Sequence, residues 1–420
     1  MDSCIIVISH SNYRIKSAGV EKFISDTTQQ IITSGIHVLQ IFPVIELNRK
    51  IGKDFLGFNY DGSFRGIYPE ANMYDDIAEL GQKENVAFIG VDVHQVHGWN
   101  LEYLEECLSL LDLPINIFVH DYEMLSAKSL MIDKENIIDD EKIRMSSPEG
   151  PVSCFGESNL VRFTEINKFL ILVAPKVEKI VAPSVVAKNN WCRCFPFLAS
   201  KTVVREHLEV KGGSIQKKKK THDGPIRIAF LGSTATHKGY LFWKKLVAYF
   251  AGNEEYAFFY FGKDENDAFG VENVYVDFQD PDCPSMVDQL LSRDIDIAFL
   301  WSTWQETYCF TYYEAVSAGC FVLTNKESGN IQFQVQKCKT GAAFDDFSQC
   351  INYLNAYDKV RRILHIYRDT NVLNCYVPNP DIEDLVFEKE GKEISLPNRH
   401  KSRKALLLTS LYKAMRGDYK

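Results

Sequence analysis

Short aliphatic runs separated by amphipathic stretches recur along the chain, and the series runs through twice. In the front half the runs 4–9, 36–44, 86–93, 114–119 and 179–182 are too short for helices. They are also too continuously apolar for one-sided strands, so they predict strands of a parallel sheet buried on both faces. Amphipathic helices are predicted from Gly19 towards Ile32 and from Arg162 to about Leu172. Residues 59–74, rich in Gly, Asn and Tyr without a period, predict an irregular excursion. Beyond 225 the pattern starts afresh, with predicted strands at 226–231, 258–262, 274–276, 295–300, 320–324 and 341–344 and helices between them. Strands alternating with helices give an α/β class, and two such series give two domains. Residues 206–224, with Gly212-Gly213 and the run Lys217 to Lys220, read as an exposed linker. The expected limits are therefore 1–205 and 225–395. A terminal helix at 399–416, apolar at Leu406, Leu407, Leu411 and Met415, is expected to cross back to the first domain.

Candidate chemistry concentrates between Asp294 and Asn330, a predicted strand, polar turn, helix and strand. Ligands of α/β sheets settle where strands hand over to helices. Glu306 lies in that turn and Glu314 in the helix, with seven residues between them. The helix start offers unpaired N–H groups to a phosphate, and flanking carboxylates suit hydroxyls, a ribose on one side and a sugar on the other. Thr311-x-x-Glu314 also fits a capping box, in which Glu314 only closes the helix. The first strand, a polar loop and Gly19 at a helix start form a second phosphate-binding pattern. His120 falls at the carboxyl end of the fourth strand, where ligands bind. His94-x-x-His97 invites a zinc reading, but no third ligand has diagnostic spacing and Gly98 breaks the helix that would align the pair. No metal site is expected. In Gly232-Ser-Thr-Ala-Thr-His-Lys238-Gly the order of a Walker loop is absent. A cation at a helix start opposes the helix dipole, so Lys238 suggests an anion nearby.

The segment Glu306-Thr-Tyr-Cys-Phe-Thr-Tyr-Tyr-Glu314 resembles the Glu-x7-Glu segment of family-4 retaining glycosyltransferases. That resemblance implies a GT-B fold, two Rossmann-like domains facing each other across a cleft, and a nucleotide-diphosphate sugar as donor. It implies that Glu306 and the backbone of Thr307, Tyr308 and Phe310 hold the donor sugar while Glu314 holds the ribose. Ala18-Gly19-Val20-Glu21 is similar to the family's Gly-Gly-x-Glu start, which faces the diphosphate, and here Ala18 replaces the first Gly. His120-Asp121-Tyr122 is similar to the family motif whose His approaches the donor sugar. The loop carrying His94 and His97 resembles one that lines the acceptor side. Lys238 takes the Lys position of the diphosphate clamp, but Ser233 stands where the clamp Arg belongs, and a bidentate Arg is not replaced by serine. His237 is the candidate substitute. The implied catalytic set is His120, Glu306 and Lys238, with retention of configuration and no required metal or other cofactor. The expected activity is hexosyl transfer (EC 2.4) to a glycan or lipid-linked acceptor in cell-surface polysaccharide or glycoconjugate synthesis. The alternatives are a non-catalytic GT-B partner subunit and a GT-B sugar-nucleotide epimerase.

Bulk properties narrow this further. A net charge of −9 over 420 residues argues against a nucleic-acid partner. Eleven scattered cysteines, with only a short apolar run after Met1-Asp2-Ser3, read as reduced thiols in a cytoplasmic protein. The basic, amphipathic 399–416 stretch permits docking to the inner face of a membrane. The acidic stretch 125–155 reads as an acceptor-facing loop.

Overall fold

The computed structural model describes residues 1–16, 18–125, 157–211, 224–370, 374–395, 405, 408–410 and 412–413. The expected acceptor loop and the lysine run of the linker lie outside these residues.

The first half builds β1 (Asp2–Ile8), α1 (Gly19–Thr33), β2 (His37–Pro43), α2 (Ile45–Ile51), β3 (Phe55–Tyr60), β4 (Ser63–Pro69), α3 (Met73–Glu84) and β5 (Val86–Val93). It continues through α4 (Leu101–Leu111), β6 (Ile115–Phe118), α5 (Glu157–Val173), β7 (Val177–Ala182), α6 (Val185–Cys194) and β8 (Thr202–Val204). The strands form one sheet in the order β4-β3-β2-β1-β5-β6-β7-β8, parallel except where β3 pairs with β2 and β4. Alternate residues of β1 feed the two layers. Cys4, Ile6 and Ile8 enter the core beneath α3 and α4, while Ile5 and Val7 meet Phe23, Ile24 and Ile31 of α1. That double burial is why the run is continuously apolar.

The expected excursion at 59–74 is instead mostly a β-hairpin and the start of α3. Its turn is Asp61-Gly62, both at positive φ (47° and 73°), which matches the twist of the flanking strands. The aromatic residues that hide the period are its packing surface. Phe58 and Tyr60 are buried, and Tyr68 lies against Phe58.

After β9 (Leu208–Lys211), the second half builds β10 (Ile226–Leu231), α7 (Tyr240–Tyr249), β11 (Tyr256–Gly262), β12 (Val271–Tyr275), α8 (Met286–Ser292) and β13 (Ile297–Phe299). It closes with α9 (Phe310–Ser317), β14 (Phe321–Asn325), α10 (Asn330–Cys338), β15 (Gly341–Phe344), α11 (Phe347–Asn355), α12 (Tyr357–Thr370) and β16 (Cys375–Pro378). Six of these strands form an all-parallel sheet, β12-β11-β10-β13-β14-β15. The strand order reverses between β10 and β13, which opens a crevice beyond their carboxyl ends.

The chain then returns to the first sheet. β16 pairs antiparallel with β9, and the Arg205 guanidinium donates to the carbonyls of Asn379 and Asp381. Phe88 and Lys392 exchange backbone hydrogen bonds of 3.0 and 2.8 Å. Phe387 fills the space beside Gly90, where a Cβ would lie 2.2 Å from its ring. Of the expected terminal helix, the described residues sit on β4. Ala405 N donates to Ile67 O, and Ile67 N donates to the Thr409 hydroxyl.

Candidate active site

Two loops meet beyond the reversal point of the second sheet. One follows β10 and carries Ser233, His237 and Lys238; the other follows β13 and carries Glu306. They are fastened to each other. Thr303 N donates to His237 O at 2.8 Å, and the Ser302 hydroxyl donates to the same carbonyl. Gly239 turns between them at φ 89° with its α-carbon against Trp301 O. Asn330 N donates to Glu306 O at 2.8 Å across Gly329, itself at φ 64°.

This scaffold brings the Lys238 ammonium to 2.7 and 3.0 Å from the two Glu306 oxygens. Glu306 is 1% exposed. Burial disfavours the charge on Lys238, but the neighbouring carboxylate outweighs it and the lysine pKa is raised. An ammonium has three N–H donors, and Glu306 engages two. Lys238 also lies 5.4 Å from the centre of the Trp304 ring. His237 is lowered by burial and by Lys238, so its ring is a weak substitute for a permanently charged arginine. Ser233 is exposed, and its hydroxyl accepts from Ala235 N.

The Glu306 turn is joined to the first half and to β9 at four points. Thr307 Oγ1 donates to His120 O at 2.6 Å, and Ser184 Oγ donates to Thr307 O at 2.7 Å. Asn190 Nδ2 donates to Gln305 Oε1, and Leu208 N donates to the Tyr308 hydroxyl. Trp304 is buried within the core of the first half, edge-on to the Tyr122 ring. His207 stands 4.5 Å from the Tyr308 ring. His207 had no sequence signal, because its partners are remote in the chain.

α9 begins at Phe310, and the residue at its cap position, Cys309, makes no side-chain cap hydrogen bond. Thr311 is therefore inside the first turn, and the capping box is not formed. Glu314 is half-buried, which raises its pKa against the pull of Lys22 across the cleft. Lys22 lies in the first turn of α1, and its ammonium is 5.7 Å from the centre of the Phe310 ring. Gly19 opens α1 against the same ring, 3.6 Å from where its Cβ would be. The starts of α1 and α9 therefore face each other.

His94 and His120 come together, with His94 Nδ1 2.9 Å from His120 Nε2. His94 is 3% exposed. Burial lowers both imidazoles, His94 well below its ordinary value and His120 to about 3. His97 goes elsewhere. It is exposed, and its Nδ1 is 3.5 Å from Glu123. Beside this pair lies a residue read only as part of the helix-start motif, Glu21. Its carboxylate accepts from the Ser11 hydroxyl and lies 3.2 Å from His10 Nε2. Burial pushes its pKa up, but the contacts with His10 and Ser11 outweigh this and hold it at about 2, below the ordinary 4.5. A depressed carboxylate stabilises the fold above its unfolded pKa, and that contribution is lost as pH falls through the folded value. Urea unfolding of Glu21→Gln is therefore expected to show a deficit at pH 6 that shrinks steadily as both proteins are acidified from about 4.5 towards 2. A deficit that does not change with pH would assign it to packing.

No protein-family model and no curated protein matches this chain by sequence. Solved structures match by fold. Anabaena HepE in complex with UDP-glucose shares 12% identity at a TM-score of 0.53, covering 87% of this chain and 92% of that one. Sucrose-phosphate synthase from Thermosynechococcus elongatus (11%, TM-score 0.54) is covered over 90% of its length and WaaG, a glycosyltransferase involved in lipopolysaccharide biosynthesis (10%, 0.54), over 93%, each across 87% of this chain. The architecture is that of the GT-B glycosyltransferases, with two mainly parallel α/β sheets. Among the described residues, no helix is long and apolar enough to cross a membrane.

Proposed function

We propose that this chain transfers a sugar from a nucleotide-diphosphate sugar to a glycan or lipid-linked acceptor, with retention of configuration, in the synthesis of a surface polysaccharide or glycoconjugate. The observation that carries the reading is the Lys238–Glu306 pair, set beyond the strand-order reversal of a GT-B fold and tied through Thr307 to His120. The third N–H of Lys238 is the donor available to the diphosphate, and it would stabilise charge building on the leaving group. The starts of α1 and α9 add partial positive charge to the same space. Glu306 would orient sugar hydroxyls, Glu314 would take the ribose, and His120 would line the reacting face. The base would lie in the open pocket of about 470 Å³ after β11, between Tyr260, Asp264 and Tyr275. HepE bound to UDP-glucose supports a nucleotide-sugar donor. Docking at the cytoplasmic face of a membrane would bring a lipid-linked acceptor within reach.

A second reading is favoured by two observations. Ser233 offers no charge where the clamp needs one, and Ala18 stands where the first Gly of the diphosphate-facing start belongs. A non-catalytic GT-B subunit would carry such changes. Thermal unfolding against a panel of nucleotide-diphosphate sugars separates the two. One donor is expected to raise the midpoint in proportion to the logarithm of its concentration, and Glu306→Ala is expected to remove that response. A chain that responds to no donor in the panel, at concentrations up to millimolar, is the non-catalytic subunit.

A further inference from the structure

His120 is held from two directions. Its ring meets His94, and its backbone carbonyl accepts from Thr307. We propose that His94 and Thr307 are positioning residues for His120. His94 occupies Nε2, so that Nδ1 is the ring nitrogen His120 turns to a donor sugar, while Thr307 fixes the His120 backbone to the turn carrying Glu306. The kinetic part rests on the glycosyl-transfer reading above; the placement of the ring does not.

The geometry supports each half. The two imidazoles are inclined by 19° with centroids 5.1 Å apart, as a near in-plane N–H···N contact requires. Such a contact takes one protonated and one bare nitrogen, so at least one ring is neutral in it, and burial disfavours charge on both. Phe118 stacks on His94 at 4.3 Å and 12°, and Phe23 stands edge-on to His120 at 5.3 Å. Rotation of either ring would collide with these neighbours. Thr307 contributes a hydroxyl where a purely apolar side chain would leave the His120 carbonyl without this donor. Its own carbonyl is taken by Ser184, so the turn is held on both sides. Thr307 thus acts across the cleft rather than on a ligand.

The test pairs variants that remove each contact with variants that keep it. His94→Phe preserves the stack and deletes Nδ1, whereas His94→Asn places an amide nitrogen near the Nδ1 position. Thr307→Val deletes the hydroxyl, and Thr307→Ser keeps it. With 15N-histidine labelling, the His120 Nε2 resonance is expected to move in His94→Phe and to stay near its wild-type position in His94→Asn. With an active donor, His94→Phe and Thr307→Val are expected to lose on the order of 100-fold in kcat with little change in donor KM, and the two conservative variants to recover most of it. An unmoved Nε2 resonance in folded His94→Phe overturns the His94 half, and wild-type kcat in Thr307→Val overturns the Thr307 half. If His94→Phe does not fold, the wild-type protein decides: a His120 Nε2 resonance already at the position of a ring nitrogen without a partner overturns the first half instead. The nitrogen measurement needs no substrate, so failure of the glycosyl-transfer reading is seen separately, as absence of turnover with an intact His94–His120 signature.

Discussion

Lys238→Ala is expected to lower the unfolding free energy by about 3 kcal/mol and to abolish stabilisation by nucleotide sugar. The first effect follows from Glu306, which is 1% exposed and would lose its cation. Breaking a buried pair from one side costs more than never having built it, because the remaining charge stays desolvated. The Lys238 side chain is 34% exposed, so water relieves part of the penalty and the figure belongs at the lower end of the usual range. The double variant Lys238→Ala/Glu306→Gln distinguishes this cause from lost packing. A neutral amide needs no counter-charge, so the double variant is expected to regain most of the lost stability while still failing to respond to donor. Urea denaturation of wild type, the two single variants and the double variant measures the coupling between the two residues. If the double variant is less stable than Lys238→Ala, the unpaired charge is not the source of the loss. If Lys238→Ala keeps its response to donor, the anion is bound elsewhere.

How much of this was legible in the sequence depended on whether the signal was local. The buried strands Val86–Val93 and Ile226–Leu231 begin and end where the apolar pattern does, because burial on both faces writes itself on nearly every residue of the run. The β3–β4 hairpin was missed. Its Asp-Gly turn is a local signal, but aromatics on both strands, mostly buried in β3 and half-buried in β4, blur the alternation that identifies a strand. In the site, residue types within one turn could be ranked, and Glu306, Lys238 and His120 stand in that list. What they touch could not be read. The bond from Thr307 to His120 spans 187 positions and that from Asn190 to Gln305 spans 115, and no composition or period records such pairings. The same limit hid His207 and the role of Trp304, whose ring is buried in the other half of the molecule from the strand that precedes it.

Gly239→Ala is expected to cost about 4 kcal/mol, a size reserved for a few named mechanisms, one of which is a forced backbone shift. Gly239 sits at φ 89°, and a Cβ there would lie 2.0 Å from Trp301 O and 2.6 Å from its carbonyl carbon. Neither atom belongs to a flexible side chain, so relief requires the two loops to separate. The comparison that isolates this effect is Gly252→Ala. Gly252 has a similar φ of 78° but nothing within 4 Å of its Cβ position, so alanine there meets only the left-handed penalty of about 1 kcal/mol. The difference between the two substitutions is the cost of close approach alone. Because Lys238 precedes Gly239 directly, separation of the loops would also draw its ammonium from Glu306. Gly239→Ala is therefore expected to lose donor response as well as stability, and Gly252→Ala to keep both nearly intact. Equal costs at the two glycines would mean that backbone conformation, rather than the contact with Trp301, is what requires glycine at 239.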